Sequence, residues 1–164
     1  MAWVNVGSVR ADFAQSVMGK DDPSGNPRNF GLYVDGAERR DVLGTNYTHG
    51  GSWKGEYGTT PVMDQQWRHL AGSRDDGFHR AYTDGVLEGE SPAPNPPDQN
   101  AESVKIGRWG AQRGDFMIGL MDEVAIFNRA LTEEEIGIVI TGLAAMLAVE
   151  PSGKLTATWG AIKD

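Results

Sequence analysis

Residues 119–136, GLMDEVAIFNRALTEEEI, decide the fold expected of this chain. Val124 and Ile126 alternate with Glu123, Ala125 and Phe127, so Met121 to Asn128 reads as a strand of period two with both faces partly apolar. Such a strand suits the middle of a β-sandwich. Asn128, Arg129 and Ala130 break the alternation, and Thr132 followed three residues later by Glu135 makes a capping box that opens a helix. Ile136, Ile140, Leu143 and Leu147 then recur at helical spacing, so a helix over 132–147 is expected to lay one apolar stripe on the sandwich.

Asp122 shares its expected strand face with Val124 and Ile126. A carboxylate among aliphatic neighbours is costly unless it is hydrogen-bonded, paired or bound to a cation. Two kinds of partner are open. Asp122 accepts backbone N–H groups from a neighbouring loop or pairs with an arginine, or it is a metal ligand in a calcium site built from oxygens.

Outward from this stretch, composition sets the frame. At 164 residues, with 39% hydrophobic and 23% charged, the chain has the size of a single domain, 1–164, with a real core. The 22 glycines, 8 prolines and scarcity of long helical patterns favour short strands joined by turns, an all-β architecture. A net charge of -8 repels phosphate backbones and anionic membrane surfaces, so nucleic acid and membrane are not expected partners. The absence of cysteine excludes disulfides and thiolate metal sites. No charged region precedes an apolar one, and no apolar run approaches bilayer length, so neither an export signal nor an anchor is expected in this chain.

Met1 to Val6 alternates as a strand, and Ser16 to Lys20 reads as a second. Residues 21–29 form a polar loop whose Asp21, Asp22 and Asn26 lack EF-hand spacing. Residues 30–36 (FGLYVDG) and 81–85 (AYTDG) both end in Asp-Gly, which predicts two-residue hairpin turns. Residues 42–61 read as a loop with Tyr47, His49, Trp53 and Tyr57 spread among glycines and threonines. These aromatics either stack on sugar rings or cover the sandwich edge. Asn46-Tyr47-Thr48 is also a glycosylation sequon. Trp67 to Arg74 alternates as a strand, and His79 to Glu90 folds as a hairpin about Asp84-Gly85. Residues 91–100 are a proline-rich surface loop, and Ser103 to Gly107 is a strand followed by a loop that carries Trp109. Tyr47, Trp53, Tyr57 and Trp109 are the candidate ligand-binding residues. Arg113-Gly114-Asp115 in the same loop more often makes a turn than an adhesive site. Leu155 to Trp159, within a C-terminal extension over 150–164, reads as a last strand.

Gly119 to Glu135 resembles the closing signature of laminin-G-like domains of the concanavalin A-like superfamily, G-x-I-D-E-V-R-I-Y-N-R-A-L-s-x-E-E-I, with Met121, Ala125 and Phe127 in place of Ile, Arg and Tyr. A second block resembles the middle signature of the same family: Trp67, His69 and Ala71, then Tyr82, Asp84, Gly85 and Leu87. The resemblance implies a jelly-roll β-sandwich with one C-terminal helix. It implies a recognition module for carbohydrate or an extracellular glycoprotein, at an extracellular or cell-surface location, with calcium shaping the binding loops. In that family the strand equivalent to Ala2-Trp3-Val4 follows an earlier strand pair that is not expected here, so either the chain is a fragment or a neighbouring chain or its own C-terminal tail fills the gap. An unpaired edge is therefore expected, and with it homo-oligomerisation.

Catalytic patterns are missing: no G-x-S-x-G, no H-E-x-x-H, no phosphate-binding glycine loop, no cysteine nucleophile. Glucanases of this superfold use an E-x-D-x-x-E strand, and Met121-Asp122-Glu123-Val124 lacks that spacing. As neighbours on a strand, Asp122 and Glu123 are expected to point to opposite faces and to act on no common bond. A non-enzymatic binding module is thus expected, with a self-assembly domain and a degenerate glycoside hydrolase as alternatives.

Overall fold

The computed structural model describes residues 1–7, 14–22, 24, 26–36, 41–109 and 116–142. Among them the elements are β1 (Ala2–Val6), β2 (Gln15–Asp21), β3 (Arg28–Asp35), β4 (Val42–His49), β5 (Ser52–Pro61), β6 (Trp67–Arg74), β7 (Phe78–Thr83), β8 (Val86–Pro92), β9 (Lys105–Ile106), β10 (Gly119–Asp122) and α1 (Glu133–Ile140). They make two antiparallel sheets, ordered β10-β1-β6-β7-β8 and β5-β4-β3-β2-β9. This is the expected all-β jelly-roll sandwich with one helix.

Alternation builds the core. On β1, Ala2, Val4 and Val6 are fully buried while Trp3 and Asn5 face outward. With Leu70 and Ala81 they meet Val17, Met18, Leu32, Val34 and Leu43 of the facing sheet. The other side of the first sheet is covered in part by α1, whose Ile136 and Val139 pack on Ala71 and Tyr82. Its capping box forms as the sequence spells it: Thr132 Oγ1 accepts the Glu135 N–H at 3.2 Å, and the Glu135 carboxylate accepts the Thr132 N–H at 2.9 Å. Arg129 donates to the same carboxylate at 2.6 and 2.7 Å, and Glu135 titrates down at about 2, chiefly because of that guanidinium.

One carboxylate ties the two sheets together along an edge. Glu88 of β8 accepts from the Thr59 N–H at 2.9 Å, the Thr83 hydroxyl at 2.8 Å, and both the N–H and hydroxyl of Thr60. Burial alone would raise its pKa, but these donors outweigh burial and hold it below the usual range.

Several elements depart from the sequence reading. The strand expected over Met121 to Asn128 ends at Asp122 and, among the described residues, is a sheet edge paired with β1. Glu123 takes φ +46°, the left-handed region, which turns the chain out of the ladder. Val124 still packs against the core, but Ile126 is 56% exposed. Residues 42–61 are not loop: β4 and β5 form a long hairpin about Gly50 and Gly51, both at positive φ. The sequon therefore lies mid-strand, with Asn46 buried. Asp84-Gly85 does make the two-residue turn, between partners Thr83 and Val86. Asp35-Gly36 does not, because the last pair is Asp35 with Val42 and residues 36–41 connect them. The helix described ends at Ile140 with Thr141 as its cap. Leu143, Leu147, Arg113-Gly114-Asp115 and the extension over 150–164 lie outside the described residues.

Candidate functional site

The register of β3, β4 and β5 puts Tyr33, Gly44 and Tyr57 in one file, on the side of the sheet away from Leu32, Val34 and Leu43. Two residues along, Gly31, Asn46 and Gly55 form the next file. Glycine at 44 and 55 has a local purpose. A Cβ on Gly44 would fall within the Tyr33 ring, and one on Gly55 within the Trp53 ring. Bare backbone thus lets both rings lie down across the sheet.

The result is a continuous aromatic row. Trp53 and Tyr57 are tilted at 39° with centroids 6.1 Å apart, Tyr57 meets Tyr33 edge-on at 6.3 Å, and Tyr33 meets Trp109 edge-on at 5.6 Å. The Arg28 guanidinium sits 4.3 Å above Trp109 and closes the row. Exposure is concentrated at one end, 46% at Trp53 against 5% at Tyr33 and 9% at Trp109. Burial, and then a hydrogen bond with Tyr57, pushes the Tyr33 phenol well above its ordinary pKa, so it stays a neutral hydroxyl.

Three of the four residues expected to bind ligand, Trp53, Tyr57 and Trp109, therefore meet, joined by Tyr33, which the sequence reading did not single out. The fourth goes elsewhere. Tyr47 is one step out of phase with Asn46 on β4, so it points between the sheets, only 4% exposed, edge-on to His79 at 5.2 Å. It is unavailable to a ligand on the aromatic face.

The apolar strand face expected around Asp122 does not form. Asp122 is exposed at the end of β10 and its Oδ1 accepts the Glu123 N–H at 2.8 Å, so no burial penalty demands a cation there. Among the described residues no group of three or more His, Asp or Glu side chains is placed to hold a metal. Nor do Asp122 and Glu123 part to opposite faces. Because the strand ends between them, both line one shallow cleft of about 330 Å³ with Trp3, Trp67 and Thr141. His69 is buried, edge-on to Trp3 at 5.5 Å.

The sequence pattern of a laminin-G family, described as the concanavalin A-like lectin/glucanases superfamily, matches residues 1–137. The chain belongs to this laminin-G-like family. The laminin-G-like domain also shares its fold with solved structures. A Bacteroides ovatus protein proposed to bind carbohydrate aligns at 24% identity over 93% of this chain, with a TM-score of 0.66. The domain spans 41% of that longer protein. The heptameric SAP-like pentraxin of Limulus polyphemus aligns at 14% identity over 85% of this chain and 68% of its own, with a TM-score of 0.60. Botulinum neurotoxin type C, whose cell entry is described as dependent on two ganglioside molecules, aligns at 11% over 87% of this chain and 34% of its own, with a TM-score of 0.53. At these identities the likeness is one of fold. No curated protein gives a significant match.

Proposed function

We propose that this laminin-G-like domain is a non-catalytic recognition module that binds carbohydrate, free or on an extracellular glycoprotein, on the outer face of the β3-β4-β5 sheet. The observation that carries the reading is the aromatic row from Trp53 to Trp109 laid over Gly44 and Gly55. Aromatic faces offer large, rigid apolar area to the C–H face of a sugar ring. Trp53, the most exposed ring, and Tyr57 beside it are the stacking surface, and Arg28 and the tyrosine hydroxyls supply polar contacts at its border. Relatives in fold whose descriptions concern carbohydrate and gangliosides support the same class of ligand. We place the domain outside the cell on the strength of its family, and no helix among the described residues is long and apolar enough to cross a membrane.

A glycan array followed by calorimetry tests this. A glycan that binds the unmodified domain should lose roughly tenfold or more in affinity with Trp53→Ala, the worth of one good stacking contact. Binding indifferent to both Trp53→Ala and Tyr57→Ala would refute the site.

A catalytic reading has one observation in its favour, the shared cleft of Asp122, Glu123, Trp3 and Trp67. Turnover of a glycan panel that disappears in Asp122→Asn would establish it in place of the first. Self-association is proposed along β10, the edge of its sheet among the described residues, on which Leu120 is 62% exposed. A single monomeric species in sedimentation equilibrium would remove that proposal.

A further inference from the structure

A second cavity, of about 310 Å³, lies between the two sheets, and its lining includes Phe30, Thr45, Tyr47, Arg74, His79 and Phe127. It exists because β6 outruns β1. Their ladder ends at the pair Ala2 with Leu70, so Gly72, Ser73 and Arg74 continue with no β1 residue beside them. Arg74 and His79 are register partners on β6 and β7, and both approach Tyr47: the guanidinium carbon lies 5.2 Å from the ring centroid and the imidazole 5.2 Å edge-on.

Four polar atoms of lining residues are buried without a hydrogen-bond partner, Arg74 Nε, His79 Nδ1, Ser73 Oγ and Asn46 Oδ1, and the first two belong to register partners. Arg74 and His79 are each held by a second contact. Arg74 Nη2 donates to the Ala93 and Asn95 carbonyls, which fixes the guanidinium. The Thr45 hydroxyl donates to the Gly31 carbonyl at 3.0 Å, so its contact of 3.2 Å with His79 Nε2 requires the imidazole to be the donor. His79 is 3% exposed, and burial lowers its pKa to about 4, so the ring is neutral at pH 7. With the proton on Nε2, Nδ1 is a bare lone pair.

The register pair therefore presents an unused donor, Arg74 Nε–H, and an unused acceptor, His79 Nδ1, in a lining that also carries the Ser73 hydroxyl and the Asn46 carbonyl oxygen. A carboxylate or a fully ionised phosphate offers no donor to the lone pair, and an ammonium offers no acceptor to Nε–H. A hydroxyl answers both. We infer that this inter-sheet cavity binds a hydroxyl-rich small molecule of monosaccharide scale, one hydroxyl of which donates to His79 Nδ1 and accepts from Arg74 Nε–H. The volume stands at the small end of ligand sites, which run from roughly 300 to 1,000 Å³, so the site takes a single ring and no long glycan. The walls of Phe30, Leu32 and Phe127 suit the carbon skeleton of such a ring. This site is separate from the aromatic face and stands without it.

Long-range proton–nitrogen spectra of the unmodified, histidine-labelled domain test the inference, with myo-inositol and methyl α-glucopyranoside as probes. The chain has three histidines, so each ring is resolved. One probe should move the unprotonated nitrogen of His79 upfield, saturably, while His49 and His69 stay in place. Arg74→Lys, which lacks the Nε–H, should weaken that probe roughly tenfold, the worth of a hydrogen bond to a charged group. The Trp53 indole resonance reads the aromatic face independently, so failure at one site is told from failure at the other. A His79 resonance unmoved by either probe, which leaves a cavity holding water only, would overturn the inference, as would a proton found on Nδ1.

Discussion

The Tyr33 ring occupies the space in which a Cβ on Gly44 would stand, and the two residues are direct register partners on β3 and β4. The aromatic row depends on this arrangement, because Tyr33 is the ring that links Tyr57 to Trp109. Gly44→Ala should therefore cost about 1–3 kcal/mol, the usual penalty for overpacking. It should also displace Tyr33 and weaken any ligand of the aromatic face. Urea unfolding and calorimetry on the same variant check the two effects together; a variant of unchanged stability would mean that the ring moves aside freely.

Glu88 predicts a more distributed effect. Its carboxylate gathers donors from β5 and from β7, so Glu88→Ala strands the hydroxyls and amide groups that now point at it. Stability should fall by about 1–3 kcal/mol. Hydrogen exchange should rise first at Thr59 and Thr60 on the β5 edge. Glu88→Gln, which keeps one acceptor oxygen, should recover part of the loss.

Acid should destabilise the fold before its carboxylates titrate. His69 and His79 are both lowered from 6.5 to about 4, in each case first by burial. A histidine depressed in the folded state is neutral there while the unfolded chain takes up a proton below 6.5, so its contribution is complete above that pH and is lost as the pH falls towards 4. Each ring forfeits on the order of 3 kcal/mol across that window. Asp75 and Glu135, lowered to about 2 by Arg80 and Arg129 respectively, act below the window. Denaturation midpoints should drop steadily from pH 6.5 to pH 4, and His79→Gln should flatten that slope.

Calcium should leave the melting temperature unchanged, because Asp122 is exposed and already accepts the Glu123 N–H. Thermal scans with calcium and with a chelator check this. A calcium-dependent rise that Asp122→Ala removes would reinstate a cation at the cleft.

What could be read from the sequence divides along physical lines. Local chemistry was legible: the Thr132–Glu135 capping box, the Asp84-Gly85 turn and the Trp67 to Arg74 strand depend on residues adjacent in the chain, and each forms where its motif stands. The β4-β5 hairpin was hidden because Gly44, Gly51, Gly55 and Gly58 erase the alternation that side chains would show. Tyr33 gave no signal of its own, since only pairing with Gly44 lays it across the sheet. Tyr47 misled because phase on a strand decides which side of a sheet a ring reaches, and phase is invisible inside a segment read as loop. Asp122 misled because nothing in the identity of Glu123 announces a left-handed residue that stops the strand.

The central claim is that ligand is met on the aromatic face of the β3-β4-β5 sheet. Mapping a bound glycan by its perturbation of the tryptophan indole resonances tests it most directly, since Trp53 and Trp109 report that face while Trp3 and Trp67 report the opposite cleft. The account predicts the largest shift at Trp53, a smaller one at Trp109 and none at the other two. Shifts centred on Trp3 and Trp67, with Trp53 silent, would contradict it.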